Sequence, residues 1–303
     1  MTDDHVWQQL RQLLLGASRR VVLVAPFIKQ DLFQAVLDII PSSVIEINCV
    51  TRWSVAEVAA GVSDPEIVEL ASIDGRVLVR LCHDLHAKLY VADTRCLVGS
   101  ANLTSKATGR VAAANLELLI EEDVSHPEVQ RVLSAISSSA VPATPELARL
   151  LREQAELLQA DEEWSRIVIP GQRAQATRWL PETRRPERLY PVYRGRHHNI
   201  GRDVLAGVLR DLAELDIPPG LVEEQFAAIV RARLRELPEV RRLDQIGRLS
   251  LGDAKEELVA NGIWTEEQAQ RALETLGEWL RYFDQVYFVP TGPWEIRQGK
   301  PIK

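Results

Sequence analysis

The apolar positions of this chain follow one rhythm up to about residue 125 and another after it. Residues 5–16 place Val6, Leu10, Leu13 and Leu14 on one side of a helix. Arg20–Ile28 (RVVLVAPFI) is a continuous apolar run interrupted by Pro26, which predicts a strand buried on both faces. Leu32, Val36, Leu37 and Ile40 then give helical spacing over Asp31–Ile40, closed by Pro41. Val44–Thr51 and Arg76–Leu81 predict two more strands. Between them, Asp64-Pro65-Glu66 predicts a capped helix start with a helix to about Ser72. Asn115–Glu121 (NLELLIE) reads as a further strand. Strands alternating with helices over this section predict an α/β layered domain.

Within that section, His86 to Asn102 reads HAKLYVADTRCLVGSAN. Its β-branched and apolar residues predict a hairpin, with strands near Leu85–Ala92 and Cys96–Ser100 and a turn at Asp93–Arg95. Alternate strand residues share a face, so His86 and Lys88 project together while Leu85, Ala87 and Leu89 face a core. Ser100 and Asn102 stand in the same relation just past the second strand. The hairpin thus gathers an imidazole, an ammonium, a hydroxyl and a carboxamide towards one spot. A neutral imidazole can attack phosphorus and split a hard displacement into two easier ones. A lysine and an amide can hold the charge on the non-bridging oxygens.

These residues resemble the phospholipase D superfamily, whose signature is HxKx4D…GSxN. His86, Lys88, Asp93, Gly99, Ser100 and Asn102 match it position by position. One departure is visible: five residues separate Asp93 from Gly99, where the family usually has six. The resemblance covers the whole α/β section, including the apolar strand ending Pro-Phe. It implies His86 as nucleophile, with Lys88, Ser100 and Asn102 in the site. It further implies that Glu117, in an Asn-x-Glu at Asn115, orients the His86 ring or helps position the site. Asp93 is expected to close the turn. Arg52, just after the second strand, is a candidate phosphate ligand or a surface arginine lying over Trp53. The superfamily's chemistry needs two such histidines, and a second His-x-Lys does not occur in the chain. By that resemblance two chains pair so that both copies of His86 meet across a two-fold axis.

Metal-assisted cleavage would need clustered carboxylates or His/Cys ligands at recognisable spacing. The sequence holds no HExxH, CxxC or paired DxD. Glu121-Glu122-Asp123 and Asp161-Glu162-Glu163 read as solvated acid runs. No metal and no cofactor is expected, and there is neither a P-loop nor a GxGxxG.

Composition changes the picture in two respects. The three cysteines, Cys49, Cys82 and Cys96, lie in strand-like runs and are expected to be buried free thiols of a reducing, cytoplasmic setting. No apolar run is long enough to cross a membrane, and MTDDHVWQQL is unlike a signal peptide. The formal net charge of −7 is unevenly spread: residues 166–202 carry nine Arg and two Glu, a balance of +7, leaving −14 for the remainder. A basic stripe on an acidic body is compatible with an electrostatic footprint for nucleic acid.

From Ser125 onwards the pattern becomes helical. Thr144-Pro145-Glu146 caps a helix to about Ala160. Pro170 to Gly201 mixes Pro, Arg and Gly with Trp179, Tyr190 and Tyr193. It reads either as a connector or as a segment that holds a nucleic-acid strand by charge and stacking. Helices follow at Val204–Leu215, Leu221–Leu237 and near Gly252–Ala260. Another opens with the capping box Thr265-x-x-Gln268, and Tyr282–Ile296 has hairpin character around Thr291-Gly292-Pro293. Helix, turn, helix, hairpin resembles a winged helix in element order. Glu266, Glu267, Glu274 and Glu278 make its second helix a poor surface for a DNA groove, so a protein partner is the better expectation.

The division expected is therefore a phospholipase D-like catalytic domain over 1–140, a helix and Arg/Pro-rich linker over 141–199, and a helical C-terminal domain over 200–303. The function expected is a homodimeric, metal-independent phosphodiesterase acting on nucleic acid through a phospho-histidine. Defence against foreign DNA is a hypothesis by analogy with small single-motif nucleases, and it loses support if expression with genomic neighbours gives no protection from phage or plasmids. The alternatives are a phospholipase or phosphatidyltransferase, and a non-catalytic binding or assembly subunit.

Overall fold

A computed structural model describes residues 4–161, 164, 179–260, 262, 264–284, 287–288 and 295–298. Two compact units make up the chain, Met1–Ala155 and Glu156–Lys303.

The first unit is built on a seven-stranded mixed sheet. Its strands are β1 (Arg20–Val24), β2 (Glu46–Thr51), β3 (Val77–Leu81), β4 (Lys88–Ala92), β5 (Arg95–Gly99), β6 (Leu119–Asp123) and β7 (Val141–Pro142). The order across the sheet is β6-β5-β4-β1-β2-β3-β7. β1, β2 and β3 run parallel, and the other pairings are antiparallel. Helices α1 (His5–Leu15), α2 (Gln30–Ile39), α3 (Val55–Ala59), α4 (Ile67–Asp74), α5 (Pro127–Ser139) and α6 (Pro145–Gln159) complete it.

Alternation along the strands sets the layers. Val21, Leu23, Ile47, Cys49, Tyr90 and Leu97 face one side, where they pack with Leu10, Leu14, Leu32, Phe33, Val36 and Ile67 of α1, α2 and α4. Val22, Val24, Leu89, Val91 and Cys96 face the other, where α5 supplies Val129 and Ile136. Each such side chain contributes roughly 1.5–3 kcal/mol by leaving water, so covering both faces explains why β1 reads as an unbroken apolar run. All three cysteines are buried and free.

The structure corrects several sequence expectations. β1 ends at Val24, because Pro26 cannot donate to a ladder and its carbonyl instead takes Thr51 Oγ1 at 3.0 Å. Asp64 does not cap α4, which starts at Ile67. The Asp64 carboxylate accepts from Lys29 Nζ (2.5 Å) and Gln30 N (2.8 Å) and so ties the start of α2. Asn115–Leu118 is not part of a strand; β6 begins only at Leu119. The short helix α3 and the helix α5 follow Ser54 and His126 caps that periodicity did not single out.

In the second unit, Pro186–Arg188 forms a 3-10 turn. The helices are α7 (Leu189–Tyr193), α8 (Arg202–Leu215), α9 (Glu223–Glu236), α10 (Pro238–Ile246), α11 (Leu251–Ala260) and α12 (Glu266–Phe283). Strands β8 (Arg248–Ser250), β9 (Tyr287–Phe288) and β10 (Glu295–Gln298) pair in the order β8-β10-β9. Both pairings, β10 with β8 and β10 with β9, are antiparallel. The predicted capping box is present, with Gln268 N donating to Thr265 Oγ1 at 3.2 Å and Thr265 N to Gln268 Oε1 at 3.0 Å. Arg166, Arg173 and Arg178 of the basic stretch, Glu162-Glu163 of the acid run and the Thr291-Gly292-Pro293 turn lie outside the described residues. Among the described residues no helix is long and apolar enough to cross a membrane.

Candidate active site

The chemistry-bearing residues lie at one edge of the first unit's sheet. The antiparallel pairing of β4 with β5 sets Lys88 opposite Gly99, so both ends of the motif open on the same rim. β1 and β2 deliver their carboxyl ends there too, because β1 runs antiparallel to β4 and parallel to β2. Arg52 follows β2 directly. In open α/β sheets, ligands bind outside such carboxyl ends.

Lys88 is the first residue of β4 and only 8% exposed. Its Nζ donates to the His86 backbone carbonyl at 2.7 Å, which draws the ammonium under the residue it serves. Burial lowers the Lys88 pKa, the Glu117 carboxylate raises it and Arg52 lowers it, with a net downward shift. His86 itself lies just before β4 rather than within it, and it is exposed. Its ring has no hydrogen-bond partner among the described residues. The Lys88 charge, then burial, then the Arg52 charge hold its pKa below the ordinary 6.5. His86 is therefore an accessible imidazole whose charged form two nearby cations disfavour.

Arg52 is not a surface arginine lying over Trp53. Its guanidinium stands 5.6 Å from the Phe27 ring centroid, donates to the Leu85 carbonyl at 3.4 Å and pairs with Glu57. Its Nε is buried without an acceptor. Glu57, whose backbone N–H is capped by Ser54 Oγ at 3.2 Å, is a residue sequence reasoning missed. The only signal for it was a Ser three residues before an acid, a helix-start pattern.

Ser100 and Asn102 follow β5 on a segment held from both sides. The buried Tyr90 hydroxyl donates to the Ala101 carbonyl at 2.7 Å, and Leu103 N donates to the Phe27 carbonyl at 3.1 Å. Glu117 does not bond the His86 ring. Its carboxylate accepts from Ser100 Oγ (2.5 Å) and Asn115 Nδ2 (3.1 Å), while Leu118 N donates back to Ser100 Oγ at 3.1 Å. Glu117 thus acts on Ser100 directly and on Lys88 through its field. Asn102 Oδ1 is buried with no donor among the described residues. Such an orphan acceptor costs about 1–3 kcal/mol, and it marks where a ligand's hydrogen-bond donor would sit.

Gly99 explains the glycine of the motif. A Cβ there would stand 1.8 Å from the Leu118 carbonyl oxygen, so only glycine lets the 115–118 segment cross close enough for Glu117 to reach Ser100. Asp93 lies at the other end of the hairpin, in a left-handed conformation with φ 55°. Its carboxylate takes Ser18 N and Oγ (both 2.8 Å), Arg19 N (3.0 Å) and Arg20 N (2.9 Å). Burial raises its pKa, but those donors outweigh burial and hold the carboxyl below its ordinary value.

No protein-family model and no curated protein sequence matches this chain. Among solved structures, it is similar to Nuc from Salmonella typhimurium, described as a phospholipase D family member. The two share 17% identity over 45% of this chain and 89% of that one, with a TM-score of 0.33. NucT from Helicobacter pylori shares 13% identity over 46% of this chain and 91% of that one, with a TM-score of 0.31. A phosphatidylserine synthase from Haemophilus influenzae shares 13% over 51% and 40%, with a TM-score of 0.32. Within this chain, the strands that carry His-x-Lys and Gly-Ser-x-Asn pair at one sheet edge. Among the described residues, no three His, Cys, Asp or Glu side chains cluster as metal ligands would.

Proposed function

We propose that the phospholipase D-like unit is a phosphodiesterase that cleaves nucleic acid through a phospho-histidine on His86, without a metal. One observation carries this reading: an exposed imidazole beside the cations Lys88 and Arg52, with a buried Arg52 Nε that lacks an acceptor. The free electron pair of His86 attacks phosphorus. Lys88, Arg52 and the N–H of the Asn102 amide hold the non-bridging oxygens as charge shifts onto them. Ser100, fixed by Glu117, lines the same rim.

The leaving oxygen needs a proton, and no second His-x-Lys occurs in the chain. His126 accepts Glu128 N at 3.3 Å as a helix cap. His86 of a second copy is the donor in this proposal. The P–N bond forms as the P–O bond breaks, and the second imidazolium protonates the departing oxygen. Water then attacks phosphorus, gives its proton to that second imidazole and releases His86. The rim's own surface suits a second copy: Leu116, Leu118 and Ile120 are 102%, 64% and 50% exposed beside Glu117 and along β6, the edge strand of the sheet. Defence against foreign DNA is the biological setting proposed for this activity, and plating phage on cells with and without the intact gene tests it.

The deciding experiment incubates the full chain with single- and double-stranded DNA and RNA in excess EDTA, beside His86→Ala. Cleavage by the wild type alone is expected. If nothing is cut while phospholipid is turned over, the nucleic-acid reading is wrong; if nothing is turned over at all, the catalytic reading is wrong.

A further inference from the structure

The second unit contains a cavity of about 180 Å³ lined by Tyr190, Phe226, Tyr282, Phe283, Glu223 and Arg231, among others. That is well below the roughly 300–1,000 Å³ of sites for drug-sized ligands, and it suits a single ring system. Its walls are aromatic. Tyr190 and Phe226 meet edge-to-face at 5.4 Å between centroids, and Tyr282 and Phe283 do so at 4.9 Å. Tyr193 backs the first pair, 4.9 Å from Phe226, and its hydroxyl is pinned by Leu221 N at 2.7 Å. Phe226 and Phe283 are buried, while Tyr282 is 48% exposed and forms the rim. Polar groups stand at the ends of this aromatic slot. Glu223 offers an acceptor at the start of α9, and Arg231, which also donates to the Phe283 carbonyl at 3.3 Å, offers donors two turns further on. A flat ring with donors and acceptors on its edges matches both parts.

Charge identifies what such a ring would be attached to. Arg184, Arg185, Arg188, Arg194, Arg196 and Arg202 lie on the stretch that carries Pro186 and Tyr190, both lining the cavity. Among the described residues, none of these six forms an ion pair with a carboxylate. Elsewhere in the same unit arginines are commonly neutralised: Arg210 by Asp161 and Glu182, Arg235 by Asp284, Arg271 by Glu267, Arg281 by Glu278. A run of unneutralised guanidiniums beside an aromatic slot is a surface for phosphates and unstacked bases together. The outer face of α12, with Glu266, Glu267, Glu274 and Glu278, repels a duplex from the helix a groove reader would use.

We infer that the second unit binds single-stranded nucleic acid, taking one unpaired base into the Tyr190–Phe226–Tyr282 slot while the Arg184–Arg202 stretch holds the flanking phosphates. This names the strand form for the proposed phosphodiesterase and rests on that reading only for its biological use. Binding itself does not depend on cleavage.

The test measures affinity of the full-length His86→Ala protein for a single-stranded DNA oligonucleotide across a salt series, with wild-type cleavage assayed separately. Tyr282→Ala is expected to weaken binding about 10-fold, as loss of one stacked base does, with little change in salt dependence. Tyr282→Trp restores it. Arg185→Ala/Arg188→Ala weakens binding and reduces the slope of log affinity against log salt by about 1.4, two single-strand phosphate contacts. Unchanged affinity in both Tyr282→Ala and the double arginine variant overturns the inference, as does equal affinity for the matching duplex. Wild type that binds in this pattern but cuts nothing refutes the catalytic proposal alone. Wild type that cuts while these variants bind normally refutes the inference alone.

Discussion

The two ends of the β4–β5 hairpin carry parts of one motif and behave as opposites. At the turn, the Asp93 carboxylate takes four hydrogen bonds from residues 18–20 and is left with nothing to do but hold. At the rim, the His86 ring has no partner among the described residues, Lys88 is buried beside it, and Asn102 Oδ1 lacks a donor. A fully satisfied polar group stabilises the fold. A set of unsatisfied ones beside like charges destabilises it, and such a set persists where a ligand completes it. The motif is therefore half scaffold and half chemistry, only some 20 Å of hairpin apart at the strand rise of about 3.3 Å per residue.

Substitutions at the two ends should separate these roles. His86→Ala is expected to remove cleavage altogether in a gel assay while thermal unfolding stays at the wild-type temperature; an active variant would displace the proposed nucleophile. Gly99→Ala should be the most damaging structural change at the rim, because its methyl group would meet the Leu118 carbonyl at 1.8 Å. Denaturant unfolding is expected to show a loss of about 3 kcal/mol, with Ser100 and Glu117 pulled apart and activity lost as well. Wild-type stability there would mean that the 115–118 segment moves aside freely.

The sheet, the motif and its rim were legible because they rest on local pattern. Apolar runs gave the strands, and i, i+2 spacing put His86 and Lys88 together, although the strand begins three residues later than expected. The role of Glu117 was less legible. The resemblance had it orient the His86 ring or help position the site; the chain before Leu119 is irregular, and the carboxylate takes Ser100 rather than the ring. Arg52 could not be resolved between ligand and surface residue, because its partners Phe27, Leu85 and Glu57 come from three separate segments. Long-range convergence of this kind leaves no periodic trace. The same holds for the aromatic slot of the second unit: Tyr190, Phe226 and Tyr282 lie on three helices with no motif between them.

Next in size is the pair Lys88→Met and Asp93→Asn. Lys88→Met should lower kcat/KM about 10²-fold or more, the loss that follows removal of one electrostatic donor, while leaving stability unchanged or higher because a desolvated ammonium is gone. Asp93→Asn should do the reverse, costing about 2 kcal/mol of stability with activity per folded molecule retained. The pH dependence of unfolding sharpens the contrast. The folded-state pKa of Asp93 lies below its ordinary 3.8, so its contribution is complete above that value. It is lost as pH falls through the lower folded pKa. Asp93→Asn should flatten that part of the acid limb, and an identical limb in both proteins would remove Asp93 from the account.

The smallest expected effect is the most specific to the rim. An NMR titration of the His86 ring should give a midpoint below 6.5, since two cations disfavour the imidazolium. Lys88→Met should raise that midpoint most, because the Lys88 charge is the largest cause of the depression, and Arg52→Ala should raise it less. Neither measurement needs substrate, so it reads the electrostatics of the rim apart from catalysis. A His86 that titrates at its ordinary value in all three proteins would mean that water screens both cations. His86 would then resemble any exposed histidine, and the contrast between the two ends of the hairpin would rest on Asp93 alone.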